Sequence, residues 1–146
     1  MTATFKNADL LFMYPENWRV QESFESETVY EVMLESPDGC IWAVSVFLNG
    51  SKREDLIELC ATALSDQYED FERFDWKGEV DGQDMIGFDS NFFCLDFIVT
   101  AQARAFSIGD KTFNVFCQAE DRDFDKNQQV FDAMTISLIR SVREQT

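Results

Sequence analysis

The chain has 146 residues, 45% of them apolar and 15 of them phenylalanine, which suits one domain with a substantial core and not a disordered segment. Its 28 acids against 12 bases give a net charge of −16, which repels nucleic-acid phosphates and anionic membranes and favours basic partners. The absence of histidine removes Ser-His-Asp and Cys-His catalysis and histidine-ligated metals.

The opening "MTATFKNADLLFMYPENW" has neither the basic start nor the long apolar stretch of a signal peptide. No run reaches the roughly 18 apolar residues of a membrane span. The expectation is a cytoplasmic protein. "LLFMYP" (10–15) reads as a short strand stopped by Pro15. "WRVQESF" (18–24) can pair with "TVYEVMLES" (28–36). "SPDG" then supplies turn chemistry. "CIWAVSVFL" (40–48) is nearly all apolar, the pattern of a central strand covered on both faces.

The period then changes. Leu56, Leu59, Cys60, Ala63, Leu64 and Tyr68 repeat at three-to-four spacing, predicting an amphipathic helix over 51–69. Ser51 three residues before Glu54 reads as a capping box. Four strand-like segments follow. "ERFDWKGEV" turns into "QDMIGFD" at Asp81-Gly82, a hairpin dipeptide. Ser90-Asn91 is the expected next turn, leading into "FFCLDFIVTAQARAFSI". There Phe93, Leu95, Phe97, Val99, Ala101, Ala103 and Ala105 would share one face. Gly109-Asp110 leads into "KTFNVFCQA". A closing helix is expected over about 123–137, its stripe set by Phe124, Phe131, Met134 and Leu138. The order predicts an α+β fold, an antiparallel β-sheet sandwiched between helices, in a single domain over 1–146.

The candidate chemistry is sparse. Cys40, Cys60, Cys94 and Cys117 match no zinc spacing and form no C-x-x-C pair, so reduced core thiols are expected. A Cys94–Cys117 bridge between neighbouring strands is the alternative. No phosphate-binding glycine loop occurs, and no cofactor is expected. "DRDFDKNQQVFD" sets Asp121, Asp123, Asp125, Asn127 and Asp132 at the ligand offsets of a calcium loop. Lys126 stands where that loop needs glycine, and Phe124 and Phe131 carry a helical stripe through it. It is therefore read as a helix start capped by Asp121 or Asp123, with no metal. Paired carboxylates could serve hydrolysis, but 28 acids produce chance pairs and single out no catalytic residue.

The acids Glu54, Asp55 and Glu58 project from one helix face, and Asp66, Glu69 and Asp70 gather where that helix ends. The acids at the helix end oppose the helix dipole. All six are the candidate partner-binding residues for a basic surface, with general solubility as the alternative. Trp18, Trp42 and Trp76 lie in strand-like segments. They are read as core, with an exposed apolar groove as the alternative.

The "YPENW" start (Tyr14 to Trp18), a helix after the fourth strand, the Asp81-Gly82 hairpin and the closing "FDAMTISL" (Phe131 to Leu138) resemble the PsbP-like superfamily. That superfamily includes the photosystem II extrinsic P protein, a Ran-binding import factor, DcrB-like proteins and Eag-type secretion-effector chaperones. The resemblance spans nearly the whole chain and brings no shared catalytic residues. It implies binding work by adaptors, assembly factors or chaperones. The expected function is a non-catalytic interaction module, adaptor or effector chaperone, with an acidic surface and an apolar groove for a protein partner. The competing expectation is a small-ligand-binding or carboxylate-dependent enzyme domain with a pocket on the sheet. Oligomeric state is not legible.

Overall fold

The computed structural model describes residues 1–7 and 10–145, and at position 22 the backbone alone. Among the described residues nine strands and two helices run in the order β1 (Thr2–Asn7), β2 (Leu10–Pro15), β3 (Arg19–Glu25), β4 (Val29–Glu35), β5 (Ile41–Phe47), α1 (Arg53–Gln67), β6 (Glu69–Val80), β7 (Gln83–Cys94), β8 (Phe97–Ile108), β9 (Lys111–Glu120) and α2 (Asp121–Glu144). Seven of the strands form one antiparallel sheet in the order β3-β4-β5-β9-β8-β7-β6, while β1 and β2 form a separate ribbon. This is the expected α+β sandwich: α1 lies on one face of the sheet, and α2 with the ribbon lies on the other.

The core on the α2 face follows from strand alternation. Tyr30, Val32 and Leu34 on β4, Trp42, Val44 and Val46 on β5, and Phe113 and Val115 on β9 meet Phe131, Met134, Leu138 and Ile139 of α2. Trp42 also donates its indole N–H to Thr135 Oγ1 at 3.1 Å, so its polar edge is satisfied inside the core. The ribbon closes the same layer: Phe12 stacks on Phe5 at 5.1 Å and leans on Trp42 at 4.8 Å. The open edge of β2 is answered by helix serines. Ser137 Oγ accepts from the Met13 N–H at 2.9 Å, and Ser141 Oγ donates to the Leu11 carbonyl. Trp18 reaches Phe131 edge-on at 6.1 Å, so the "YPENW" turn and the "FDAMTISL" helix touch.

The core on the α1 face is built differently. Ala101, Ala103 and Ala105 of β8 leave shallow places for Ile57, Ala61 and Leu64, with Phe88 and Phe92 of β7 beside them. Tyr68 stacks on Phe92 at 4.3 Å and ends the helix. At Asp81-Gly82 both residues take positive φ, +52° and +77°, as a two-residue I′ hairpin turn demands. That turn is tied to the end of α2 by Arg140, which donates two hydrogen bonds of 3.1 Å to the Asp81 carboxylate.

Several sequence expectations are corrected. The hairpin after β7 turns at Leu95-Asp96, with Cys94 opposite Phe97; Ser90 and Asn91 lie within β7. Phe93 is therefore on the opposite face from Phe97 and Val99, and Leu95 sits in the turn. Ser51 makes no capping box. Its Oγ donates to Asn49 Oδ1, and the N-cap is Lys52 without a side-chain bond. Asp121 and Asp123 do not cap α2 either; both lie inside its first turn, and the N-cap Glu120 makes no side-chain bond. The helix runs unbroken through the acidic comb. All four cysteines are free, and β8 separates the strands of Cys94 and Cys117. A strand absent from the sequence reading, β1, pairs with β2 throughout. Among the described residues no helix is long and apolar enough to cross a membrane.

Candidate functional site: an uncovered half of the sheet

The two helices do not cover the same strands. Packing of α1 is against β6, β7, β8 and β9, and it makes no substantial contact with β4 or β5. On that face β5 presents Ile41, Ala43, Ser45 and Phe47, all only half-buried, while Trp42, Val44 and Val46 on its other face are fully buried. The expectation that β5 is covered on both faces is thus corrected. One face is fully buried and the other is only partly covered. Beside β5, Met33 and Val29 of β4 and Phe116 of β9 are half-buried on the same partly covered face, placed there by the registers Met33–Ala43, Val29–Phe47 and Ala43–Phe116.

The inner wall of this surface is the flank of α1. Leu59 is 64% exposed, although it belongs to the apolar stripe of its helix. With Leu56, Cys60 and Ala63 it overhangs a groove of about 270 Å³ floored by Ser45, Phe47, Asn114 and Phe116. Of the residues lining this groove only Glu31 carries charge. The apolar stripe of α1 is therefore wider than its contact with the sheet. Leu56, Ile57, Ala61 and Leu64 bury, and Leu59 and Ala63 are left over. Asn114 Oδ1 is buried at the groove floor with no hydrogen-bond partner of ordinary geometry among the described residues. Burial pushes the neighbouring Cys60 thiol up to about 11, with Asn114 pulling weakly the other way.

The six sequence-nominated acids are not one patch. Glu58 is committed to Arg73 of β6, which donates to both its carboxylate oxygens, one at 3.0 Å. That hydrogen bonding holds the Glu58 carboxyl below its ordinary range. Glu54 lies 3.5 Å from Arg53 Nε. Asp55 and Asp66 are exposed and pair with no cation among the described residues. Glu69 begins β6, opposite Phe93. Asp70 takes φ +55° and lines a different hollow with Glu72, Asn91 and Asp121. None of the six lines the apolar groove. Sequence reasoning raised an apolar groove but not its residues. The available signal was the small pair Ala43 and Ser45 alternating with Trp42, Val44 and Val46.

Other concavities are less open to a partner. One of about 660 Å³ runs along the seam where β2 is hydrogen-bonded to α2, between Leu11, Met13, Ile136 and Arg140. A neighbour of about 380 Å³ flanks the same seam at Tyr14, Pro15, Val130 and Ala133. Both flank a packed joint between the β1–β2 ribbon and α2, with Thr4 of β1 lining the first and Thr2 the second. Among the described residues no three His, Cys, Asp or Glu side chains are grouped to hold a metal. The carboxylates whose pKa shifts are resolved, Asp38, Glu58 and Asp81, are all lowered, by Ser36, Arg73 and Arg140 respectively. None of these three is tuned to keep a proton for general-acid work.

No family model matches the sequence, and a search of the curated proteins found no match. Solved structures do match. Cyanobacterial PsbP (CyanoP) from Synechocystis sp. PCC 6803 aligns over 93% of this chain and 90% of its own, with TM-score 0.64 and 15% identity. The fold is PsbP-like. LpqN of Mycobacterium tuberculosis, described as involved in cell envelope biogenesis, aligns over 92% of this chain and 87% of its own, with TM-score 0.58 and 10% identity. PA94 of Pseudomonas aeruginosa, a putative regulator of unknown function, aligns over 88% and 89% with TM-score 0.51 and 8% identity. At these identities the PsbP-like likeness is one of architecture.

Proposed function

We propose that this PsbP-like chain is a non-catalytic protein-interaction module, an adaptor or effector chaperone, that receives an apolar segment of a partner protein on the bare half of its sheet beside α1. The observation that carries the reading is Leu59, an apolar helix residue left exposed above a strand whose near face is only partly buried. An exposed leucine on the rim of an almost uncharged, apolar-lined groove offers a partner's apolar side chain a place to bury. The segment lies between the α1 flank and the floor residues Ala43, Phe47 and Phe116, with a donor group opposite Asn114 Oδ1. The net charge of −16 keeps such a surface from self-association and favours partners with basic flanks.

Affinity recovery from the native cell separates the groove from the acids. Leu59→Asp is expected to abolish recovery of the wild-type partner. A triple variant neutralising Glu54, Asp55 and Glu58 is expected to retain it. Loss in the triple variant with retention in Leu59→Asp would move the site to the acids and overturn the groove.

A further inference from the structure

The hairpin between β7 and β8 carries a second apolar surface, distant in character from the groove. Phe93, Phe97 and Ile98 are each about half exposed, and Leu95 at the tip is 89% exposed. Leu95 occupies the first central position of a two-residue turn with φ +56°, where glycine is the ordinary occupant. A β-hairpin tip is free to be polar and small. Here the chain holds a bulky apolar side chain in an unfavourable backbone seat and presents it to solvent. Phe93 and Ile98, opposite each other in register, point to the α2 face, beyond the start of α2.

Below them lies a hollow of about 250 Å³ lined by Asp70, Glu72, Asn91, Phe93, Ile98 and Asp121. Among the described residues no lysine or arginine lines it. Asp70 and Glu72 pair with no cation among the described residues, and the nearby Arg122 is engaged by Glu120 at 3.1 Å. Asp121 Oδ1 and Asn91 Oδ1 both lie within reach of the Thr100 hydroxyl, at 2.9 and 3.1 Å, and its one proton serves one of them at a time. Asp96 adds a further exposed acid in the turn itself.

We propose that this tip is a docking surface for a basic amphipathic segment of a partner protein, with apolar side chains against Phe93, Leu95 and Ile98 and a lysine or arginine in the Asp70–Glu72–Asp121 hollow. Charge selects this occupant. A second copy would bring the same acids against themselves, and an anionic membrane would be repelled. A cationic side chain supplies charged donors to carboxylates that have no cation of their own among the described residues. Phe93 and Ile98 face away from the groove beside α1, so the two surfaces can be filled independently.

The test is a titration of the isotopically labelled protein with an amphipathic peptide of leucine and lysine, with a leucine–glutamate peptide as control. Amide shifts are expected to cluster at residues 70–72, 91–99 and 121. Leu95→Asn, which suits the left-handed seat, is expected to hold or raise the melting temperature while weakening binding about tenfold, the effect of losing an apolar anchor. Asp70→Asn with Glu72→Gln is expected to remove the salt-sensitive part of the affinity. The proposal is overturned if shifts fall on residues 59–63 or spread evenly over the acidic surface. Undiminished binding in Leu95→Asn or equal binding of the glutamate peptide would overturn it too. Preferential binding to neutral phosphatidylcholine vesicles would identify a membrane surface instead. A dimer abolished by Leu95→Asn would identify a second copy.

Discussion

Leu59→Ala and Leu64→Ala together test whether the groove beside α1 is open in solution. The two leucines lie five residues apart on one helix, but Leu64 is 7% exposed and Leu59 64% exposed. Fully burying a leucine side chain contributes ~1.5–3 kcal/mol, so the third or so of Leu59 that is in contact contributes roughly 0.5–1 kcal/mol. Alanine's slightly better helix propensity offsets part of its loss. The expected cost of Leu59→Ala is therefore below about 1 kcal/mol. Leu64→Ala removes a packed side chain against Ala103 and Phe88 and leaves a cavity, with an expected cost of about 2–5 kcal/mol. Urea unfolding followed by tryptophan fluorescence measures both on one scale, and an unchanged slope confirms that the same transition is being compared. A cost for Leu59→Ala above roughly 2 kcal/mol, a core-like loss, would mean that α1 closes onto β4 and β5 in solution. The groove would then not exist in the free protein.

Three further outcomes follow from the same geometry. Gly87→Ala is expected to destabilise by about 3 kcal/mol or more, because its Cβ would stand 1.8 Å from the Ala103 carbonyl oxygen of the neighbouring strand and no flexible group can yield; thermal melting reads it, and a change within roughly 0.5 kcal/mol, the range of a neutral surface substitution, would contradict the β7–β8 register. Asp81 has its carboxyl lowered chiefly by Arg140, so its contribution is present above the ordinary value of 3.8 and is lost as pH falls through the lower folded value. Asp81→Asn should therefore melt lower than wild type at pH 7, with the gap closing in strong acid; a gap independent of pH would refute the pairing. Thiol labelling at pH 8 should reach the half-exposed Cys94 before Cys60, whose pKa near 11 leaves on the order of 100-fold less thiolate than an ordinary cysteine, and Cys40 and Cys117 only on unfolding; early labelling of Cys117 would place β9 outside the core.

The fold was readable where a local signal and the tertiary packing agree. Asp81-Gly82 is a turn in sequence and in structure, because both residues tolerate the left-handed backbone that the turn requires. The α2 stripe, with Phe124, Phe131, Met134 and Leu138, was readable through an acidic stretch that mimics a metal loop, because the apolar spacing persists. The next hairpin was misplaced for the opposite reason. Ser90-Asn91 has turn chemistry but sits in a ladder, and Leu95-Asp96 makes the turn although its first residue is a bulky apolar one. The Ser51 capping box failed because Asn49 takes that hydroxyl. β1 is absent from the sequence reading although Ala3 and Phe5 alternate with Thr2, Thr4 and Lys6, because a single weak strand needs its partner to stand out. The groove was the least legible feature. An apolar strand face reads the same whether a helix covers it or not, and only the position of α1 over β6 to β9 reveals that β4 and β5 are bare.

The central claim is that an apolar partner segment lies on this bare half-sheet, and site-specific photo-crosslinking in the native cell tests it most directly. A photoreactive residue at position 59, on the groove wall, is compared with one at position 62, exposed on the same helix. The account predicts a discrete adduct from position 59 alone, with the crosslinked peptide mapping to an apolar stretch of one partner protein. Equal adducts from both positions, or a position-59 adduct that maps to a polar acidic segment, would contradict it.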